Sequence, residues 1–266
     1  MTITDSIHTA IVRSGRSNSS IIMDGSNLIL VDCGAGPLVL KKYLSTINMS
    51  IEQITGAVIT HAHGDHMNEA TLRKLTFHGI PIYCEAEVKE IAVEKTKEGF
   101  QSIVKKHMHE INVRKEFKIG AYKIKAFNLR HDSEGACFGY IFKKKMPGKT
   151  EKIVYATDFA YPSERIKKLF RNADIIFIES DHCDKMLDQC FIIPEYVKDE
   201  HIRKYHISNS QCCEVLEDTL LNSDTLPHKI FLLHIADNIN TDKKALSMCK
   251  RMLKKNGFKH IAVAVE

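Results

Sequence analysis

The sequence predicts an α/β protein in which layered sheets carry helices on their outer faces. Short apolar runs typical of strands dominate the first half of the chain. In the second half, such runs alternate with amphipathic stretches typical of helices. Because sheets and helices each bury an apolar face against another element, this order favours an αββα arrangement or a close relative.

The first half begins with a predicted hairpin. Residues 20–23 and 28–32 have the apolar pattern of adjacent strands, and Asp24-Gly25 is a turn sequence. The further elements predicted here are a helix over 38–44, a strand over 57–60, a helix over 68–77 capped by Asn68 and stopped at Gly79, a strand over 81–84, one long helix over 85–106, and a hairpin of 117–119 with 122–128.

The second half alternates strands and helices. Strands are predicted over 137–142, 153–156, 175–179, 230–233 and 261–265, and helices over 163–171, 208–221 and 242–255. The only candidate insertion, residues 182–223, is much shorter than an ordinary domain. We therefore predict a single domain over residues 1–266.

Composition is ordinary for a globular protein, with 44% hydrophobic and 27% charged residues. The net charge of +5 tolerates an anionic substrate without requiring one. The eight cysteines form no C-x-x-C pair, and we see neither a signal peptide nor an apolar run of about 20 residues. These features predict reduced thiols in a cytoplasmic protein with no membrane partner.

A histidine-rich segment carries the clearest chemical signal. Three of the 14 histidines lie with an aspartate in the sequence HAHGDH, as His61, His63, Asp65 and His66. Imidazole and carboxylate groups suit zinc, manganese and similar ions, and four of them on one tight loop can serve two neighbouring metals. The alternative, a surface loop that is merely rich in histidine, leaves the downstream pattern unexplained.

That downstream pattern consists of His131, Asp158 and His234. Each follows an apolar run predicted to be a strand. Each residue alone is compatible with an ordinary loop role. Strand ends converge on one edge in a layered sheet protein, so three such residues after HAHGDH indicate a shared site.

These motifs resemble the successive metal motifs of the metallo-β-lactamase superfamily over nearly the whole chain. The resemblance implies that His61, His63 and His131 hold one metal, and that Asp65, His66 and His234 hold a second. By the same resemblance, Asp158 bridges the two divalent ions, zinc or manganese, and Asp32 supports the HAHGDH loop from below.

Within the superfamily, three segments resemble the bacterial YycJ/WalJ-type exonucleases: residues 13–20 (RSGRSNSS), 179–182 (ESDH) and 206–209 (HISN). Other branches fit less well. True β-lactamases have cysteine at the position of Asp158, and flavodiiron proteins have glutamate at that of Gly64. The chain also lacks room for a large RNA-processing cap and shows no protruding arm of the tRNA-maturing branch.

The resemblance implies phosphodiester hydrolysis by a hydroxide that bridges two metals. His206 is the predicted proton donor to the leaving group, with a helix-capping role as its alternative. His182 either contacts phosphate or supports a metal ligand, and Asp65 completes the predicted catalytic set.

We expect the substrate to be nucleic acid, most specifically the end of duplex DNA. Predicted substrate contacts are Ser208, Asn209 and the basic run Lys143, Lys144 and Lys145, which the sequence places between two strands. A solvated hairpin tip is the alternative for that run. A small-molecule hydrolase (thioesterase, lactonase or cyclic-nucleotide phosphodiesterase) and a metal-binding protein without turnover remain open, as does the oligomeric state.

Overall fold

The computed structural model describes residues 8–11, 17–25 and 27–265. These residues form two compact units. Unit 1 comprises the described residues up to Ala126 together with Ser133–Phe138, and unit 2 comprises Phe127–Asp132 and the described residues from Gly139 onward. The single domain predicted from the sequence stays a prediction.

Unit 1 contains a six-stranded sheet in the order β1 to β6. Its elements are β1 (His8–Ile11), β2 (Ser20–Asp24), β3 (Asn27–Val31), α1 (Pro37–Thr46), a 3₁₀ turn (Ile51–Gln53), β4 (Gly56–Val58), α2 (Glu69–Phe77), β5 (Ile82–Cys84), α3 (Ala86–Lys95), α4 (Gln101–His107), β6 (Met108–Glu110), β7 (Phe117–Ile119) and β8 (Tyr122–Leu129). The boundary between the units falls within β8.

The sheet of unit 1 changes from antiparallel to parallel at β3. Strands β1, β2 and β3 pair antiparallel, which confirms the predicted hairpin, and β3 to β6 pair in parallel. Neighbouring parallel strands end at the same edge. The residues that follow β3 and β4, including Asp32 and the HAHGDH loop, therefore emerge side by side.

Of two helix predictions in unit 1, one is confirmed and one is wrong. The Asn68 side chain accepts a hydrogen bond from the backbone N–H of Thr71, 3.1 Å away, so the predicted cap of α2 is confirmed. The predicted helix over 85–106 is wrong, because α3 ends at Lys95 and α4 begins at Gln101. Gly99 lies between them with φ of +88°, a left-handed conformation that glycine adopts without steric cost and that cannot continue a helix.

Unit 2 contains five strands in the order β13-β12-β11-β10-β9. Its elements are β9 (Cys137–Met146, shared with unit 1 at its start), β10 (Lys149–Ala156), α5 (Glu164–Phe170), β11 (Ile175–Glu179), α6 (Asp184–Asp188), α7 (Glu195–Val197), a π-helical turn (Lys198–Ile202), α8 (Arg203–Tyr205), α9 (Asn209–Leu221), β12 (Lys229–Leu233), α10 (Asp242–Lys255) and β13 (Ala262–Ala264).

Strands β10 to β13 are parallel, and β9 pairs antiparallel with β10. The five residues of β11 are all buried, as expected for a central parallel strand that is covered on both faces. The carboxyl ends of β10, β11 and β12 share one edge. That edge therefore receives Asp158, Glu179 and His234.

The sequence predicted that the lysine run lies between two strands, and this prediction is wrong. Strand β9 extends to Met146, so Lys143, Lys144 and Lys145 are strand residues that lie opposite Lys152, Glu151 and Thr150 of β10. Because side chains alternate across a strand, Lys144 projects from the face opposite to that of Lys143 and Lys145. The three lysines therefore do not form one continuous patch.

All eight cysteines are unbridged. Among the described ranges 8–11, 17–25 and 27–265, no helix has both the length and the apolar character needed to span a bilayer.

Candidate metal centre

The HAHGDH loop is supported from beneath by Asp32, as the resemblance implied. This aspartate follows β3 and is completely buried. Its Oδ1 accepts a hydrogen bond from the backbone N–H of Thr60 (2.7 Å), and its Oδ2 lies 2.8 Å from Nδ1 of His66. Burial raises the pKa of the Asp32 carboxyl, and the neighbouring His66 opposes that shift.

This contact fixes which nitrogen of His66 can bind a metal. An ionised carboxylate only accepts hydrogen bonds, so Nδ1 carries the hydrogen and Nε2 carries the lone pair. Nδ2 of Asn18 lies 3.0 Å from this Nε2 and also 3.0 Å from Oδ2 of Asp65. The two acceptor atoms, Nε2 of His66 and Oδ2 of Asp65, are 3.5 Å apart. Because both point at the same amide donor of Asn18, a cation in place of that donor could bind to both.

Close backbone packing holds the loop in this position. The N–H of Asn18 donates to the carbonyl of Asp65 (2.7 Å), and the N–H of Gly34 donates to the carbonyl of Asn18 (3.0 Å). A Cβ atom at Gly34 would lie 1.7 Å from the Asp65 carbonyl oxygen, so only glycine fits. Asn18 belongs to the serine-, glycine- and asparagine-rich segment 13–20, of which residues 13–16 lie outside the described part.

His61 and His63 complete the unit 1 group. The ring of His61 is fully buried and lies 4.6 Å from that of His63 and 4.3 Å from that of His66, measured between centroids. Nδ1 of His61 lies 3.0 Å from the hydroxyl of Thr60, which also contacts Asp32. Unit 1 thus brings together all four of its predicted ligands.

Unit 2 forms a second group at the carboxyl ends of its parallel strands. One potential ligand atom from each of four residues lies within 4.8 Å of the others: Asp158, Glu179, His206 and His234. Nε2 of His234 is 3.0 Å from Oδ1 of Asp158. Asp158 and His234 both have left-handed backbones, with φ of 58° and 52°, as does Asp32 with φ of 60°.

Glu179, which begins the ESDH segment and had no predicted role, organises this group. Its carboxylate is completely buried and lies 2.7 Å from Nδ1 of His206 and 3.2 Å from Nδ1 of His234. It also accepts hydrogen bonds from the backbone N–H groups of Asp158 and Ile207. Burial acts to raise the pKa of Glu179, but His206 and the other hydrogen bonds hold it below its usual range.

The side chain of His206 is held by Glu179, and it does not cap α9. Its ring stacks on that of His234, with centroids 5.2 Å apart and an interplanar angle of 2°. Burial opposes its protonation, but the charge of Glu179 raises the pKa of His206 to about 9. Ser208, not His206, caps α9, accepting from the N–H of Gln211 in a capping box.

His131 also lies in unit 2, near the same group. Its Nε2 is 3.9 Å from Oδ1 of Asp158, and its ring centroid is 5.1 Å from that of His206. Burial lowers the pKa of His131, although Asp158 opposes the shift. A neutral imidazole is the form that binds metals, so this environment suits a ligand.

Three further predicted residues of unit 2, His182, Ser208 and Asn209, are buried. Nδ1 of His182 lies 3.1 Å from Oδ1 of Asp181, whose Oδ2 lies 3.3 Å from Nδ1 of His234. His182 is 2% exposed, an arrangement that favours support of a ligand over phosphate contact. Ser208 and Asn209 are each 1% exposed and hydrogen-bond within the unit, and their assignment to substrate stays a prediction.

Replacing Asp32 with asparagine is expected to weaken metal binding by about 10–100-fold, the usual cost of losing the partner that orients a histidine ligand. The amide has one acceptor oxygen where the carboxylate uses two, so either Thr60 or His66 loses its acceptor. Metal titration, followed by denaturant unfolding in chelator, separates the loss of affinity from the loss of stability.

Glu52→Gln provides the matched control. Glu52 also pairs with a histidine, with 3.4 Å between its Oε1 and Nε2 of His78, but its side chain is exposed. Equal metal affinities in Asp32→Asn and Glu52→Gln would show that Asp32 does not orient a ligand.

The geometry can be compared with known proteins. Residues 27–235 match the family model described as "Beta-lactamase superfamily domain". The chain is 27% identical over 241 residues to exodeoxyribonuclease WalJ of Streptococcus pneumoniae, covering 89% of this chain and 84% of that protein. It is 22% identical over 260 residues to exodeoxyribonuclease YycJ of Bacillus anthracis, covering 95% and 91%. The crystal structure of the metallo-β-lactamase fold protein YhfI from Bacillus subtilis matches with a TM-score of 0.66 and 16% identity, covering 97% and 95%.

Proposed function

Since this chain belongs to the beta-lactamase superfamily and is a metal-dependent hydrolase of the metallo-β-lactamase fold, we propose that it cleaves phosphodiester bonds at the ends of duplex DNA. The observation that carries the proposal is the unit 2 group, in which the imidazole of His206 lies beside Asp158 and His234. The names of the two exodeoxyribonuclease relatives support DNA as the substrate.

We assign two divalent ions, zinc or manganese, to the residues of both units. By the family resemblance, His61, His63 and His131 would hold one ion, Asp65, His66 and His234 would hold the other, and Asp158 would be a ligand of both. The assignment follows the resemblance, and the donor chemistry within each unit supports it. Imidazole and carboxylate donors converge in unit 1 on the position that Asn18 contacts, and in unit 2 around Asp158.

When bound, such ions supply a hydroxide nucleophile near neutral pH and neutralise charge on the phosphoryl oxygens. Buried carboxylates of the chain orient the histidine ligands. Asp32 holds His66, and Glu179 and Asp181 hold His234. His182 supports Asp181 in turn. Each support makes its histidine more basic and keeps the ligating nitrogen aimed in one direction.

His206 supplies the proton that the leaving alkoxide needs. The Glu179 carboxylate, 2.7 Å from Nδ1, favours the imidazolium form. A donor within hydrogen-bond reach of the leaving oxygen contributes typically about 10²–10⁴-fold to the rate.

The test of a nucleic-acid substrate is an activity screen of metal-loaded protein on end-labelled duplex DNA, single strands, a small chromogenic diester, a thioester, a lactone and a cyclic nucleotide. Cleavage of DNA from its ends is the expected result. The proposal fails if DNA remains uncut with zinc and with manganese while one of the small molecules is turned over efficiently.

Replacing Lys143, Lys144 and Lys145 with alanine is expected to weaken DNA binding and to flatten its salt dependence by about 0.9 log units for each backbone phosphate that is no longer neutralised. Lys143 and Lys145 share one strand face, so we expect the double variant at these positions to reproduce most of the change. Fluorescence anisotropy over a salt series measures the slope, and hydrolysis of the small diester reports whether the metal centre is intact.

Lys118, Lys123 and Lys125 of the β7–β8 hairpin are exposed and provide a matched control. If their removal flattens the salt dependence equally, the β9 lysines act only through net charge.

A further inference from the structure

Helix α10 concentrates the positive charge of the molecule. Six of its fourteen residues are lysine or arginine and one is acidic, so its net charge of +5 equals that of the whole chain. Lys243 and Lys244 lie in its first turn, where the helix dipole disfavours cations. Within the part of the chain that the structure describes, no carboxylate lies at ion-pair distance from Lys243, Lys244 or Arg251.

These three cations are among the residues that line a cavity of about 450 Å³ within unit 2. On α10, residues 244, 247, 248 and 251 are spaced so that they share one helix face. The full lining comprises Cys183, Asn209, Thr241, Lys243, Lys244, Ser247, Met248 and Arg251.

The cavity is connected to the proposed active centre by a buried hydrogen-bond network. The Asn209 amide bonds to the hydroxyl of Ser180 (2.6 Å) and to the side chain of Asn240 (2.9 Å). Asn240 in turn donates to the carbonyl of Asp181 (3.0 Å), whose carboxylate contacts His234. The cavity wall and the unit 2 ligand group therefore share one rigid framework.

We propose that this cavity binds a phosphate group of a nucleotide other than the one being cleaved, which deepens the proposed function and rests on it. The charges of two lysines and an arginine suit a phosphate at the cavity, and the rest of its lining surface, which is mostly apolar and includes Met248, suits the sugar or base. Phosphate near the first turn of α10 also offsets the unfavourable placement of Lys243 and Lys244. The volume is in the range of small-molecule sites.

The test compares two variants of the full chain that lose the same charge from the same helix. The cavity variant is K243Q/K244Q/R251Q, and the control is K250Q/K254Q/K255Q, whose residues are exposed and do not line the cavity. Anisotropy of a labelled 5′-phosphorylated strand is measured in chelator over a salt series. We expect the cavity variant to bind at least about tenfold more weakly than the control, with a salt slope lower by about one for each phosphate that the variant no longer binds.

If the cavity variant and the control lose affinity for the strand equally, the assignment of the cavity to a phosphate is wrong. DNA binding by the native chain would then still support the proposed function. Titration with a deoxynucleoside 5′-monophosphate distinguishes the two sources of phosphate. If the cavity variant binds both the strand and the mononucleotide more weakly than the control does, the cavity binds a terminal phosphate. If it binds only the strand more weakly, the cavity binds a phosphate within the strand. If the native chain binds neither ligand, the assignment and the proposed function are both wrong.

Discussion

Asp158→Ala is expected to lose metal and activity together, with turnover falling by about 10³-fold or more. The residue is the proposed ligand of both ions, and metal catalysis supplies several kcal/mol of transition-state stabilisation, at about 1.4 kcal/mol for each tenfold in rate. Elemental analysis of native protein purified without chelators should approach two metals per chain. The same analysis of the variant, alongside its rate on a small diester, measures the effect.

Two companion variants make this result interpretable. Asp158 has a left-handed backbone, which alanine adopts less readily than asparagine, so Asp158→Asn separates the loss of a ligand from backbone destabilisation. Asp188→Ala removes an exposed carboxylate that pairs with Arg203, and it should retain metal and activity. A native chain that holds no more than one metal after reconstitution with zinc or manganese contradicts the two-metal assignment.

His206→Ala is expected to keep both metals but to slow turnover by about 10²–10⁴-fold, the usual contribution of a general acid. The affected substrates should be those whose leaving group needs a proton. A diester with a good leaving group, such as nitrophenolate, should lose much less activity. That difference between substrates is the measurement that identifies a proton donor.

Metal content decides between this role and direct ligation, because the imidazole of His206 lies within the same 4.8 Å group as Asp158 and His234. Loss of one metal in His206→Ala would make His206 a ligand, and full activity on every substrate would make it structural. His260→Ala, which removes an exposed histidine of the same unit, is the control and should resemble the native chain.

The parts of the site at strand ends could be predicted from the sequence. An apolar run with aspartate or histidine shortly after it indicates a side chain at a sheet edge, and this pattern located the HAHGDH loop, His131, Asp158 and His234. The supporting role of Asp32 was implied by the family resemblance. Glu179 also ends a strand, but it is the last residue of an otherwise apolar run. Nothing in that pattern shows that its carboxylate turns inward to hold two histidines.

Two sequence predictions, the helix over 85–106 and the end of β9, were wrong for local reasons. The charged residues of 85–106 fit a helix throughout, and the break depends on the left-handed conformation of Gly99, a residue that a helix also tolerates at modest cost. The lysines of β9 have no apolar alternation, so the sequence places the strand end too early. Backbone pairing with β10 continues the strand past the last apolar residue, because hydrogen bonds of the ladder do not depend on side-chain type.

The left-handed backbone at Asp32, Asp158 and His234 restricts how this family of sequences can diverge. Asparagine, aspartate, histidine and glycine tolerate this conformation, whereas branched or bulky residues do not. At these three positions selection therefore acts on the backbone and on the donor atom at the same time. A lineage that abandons metal chemistry can replace them with asparagine or glycine and keep the fold. Single-nucleotide steps from aspartate codons reach asparagine, glycine and glutamate but not cysteine, and of the three only asparagine and glycine readily adopt the left-handed backbone, so drift at these aspartates favours loss of the ligand over its replacement.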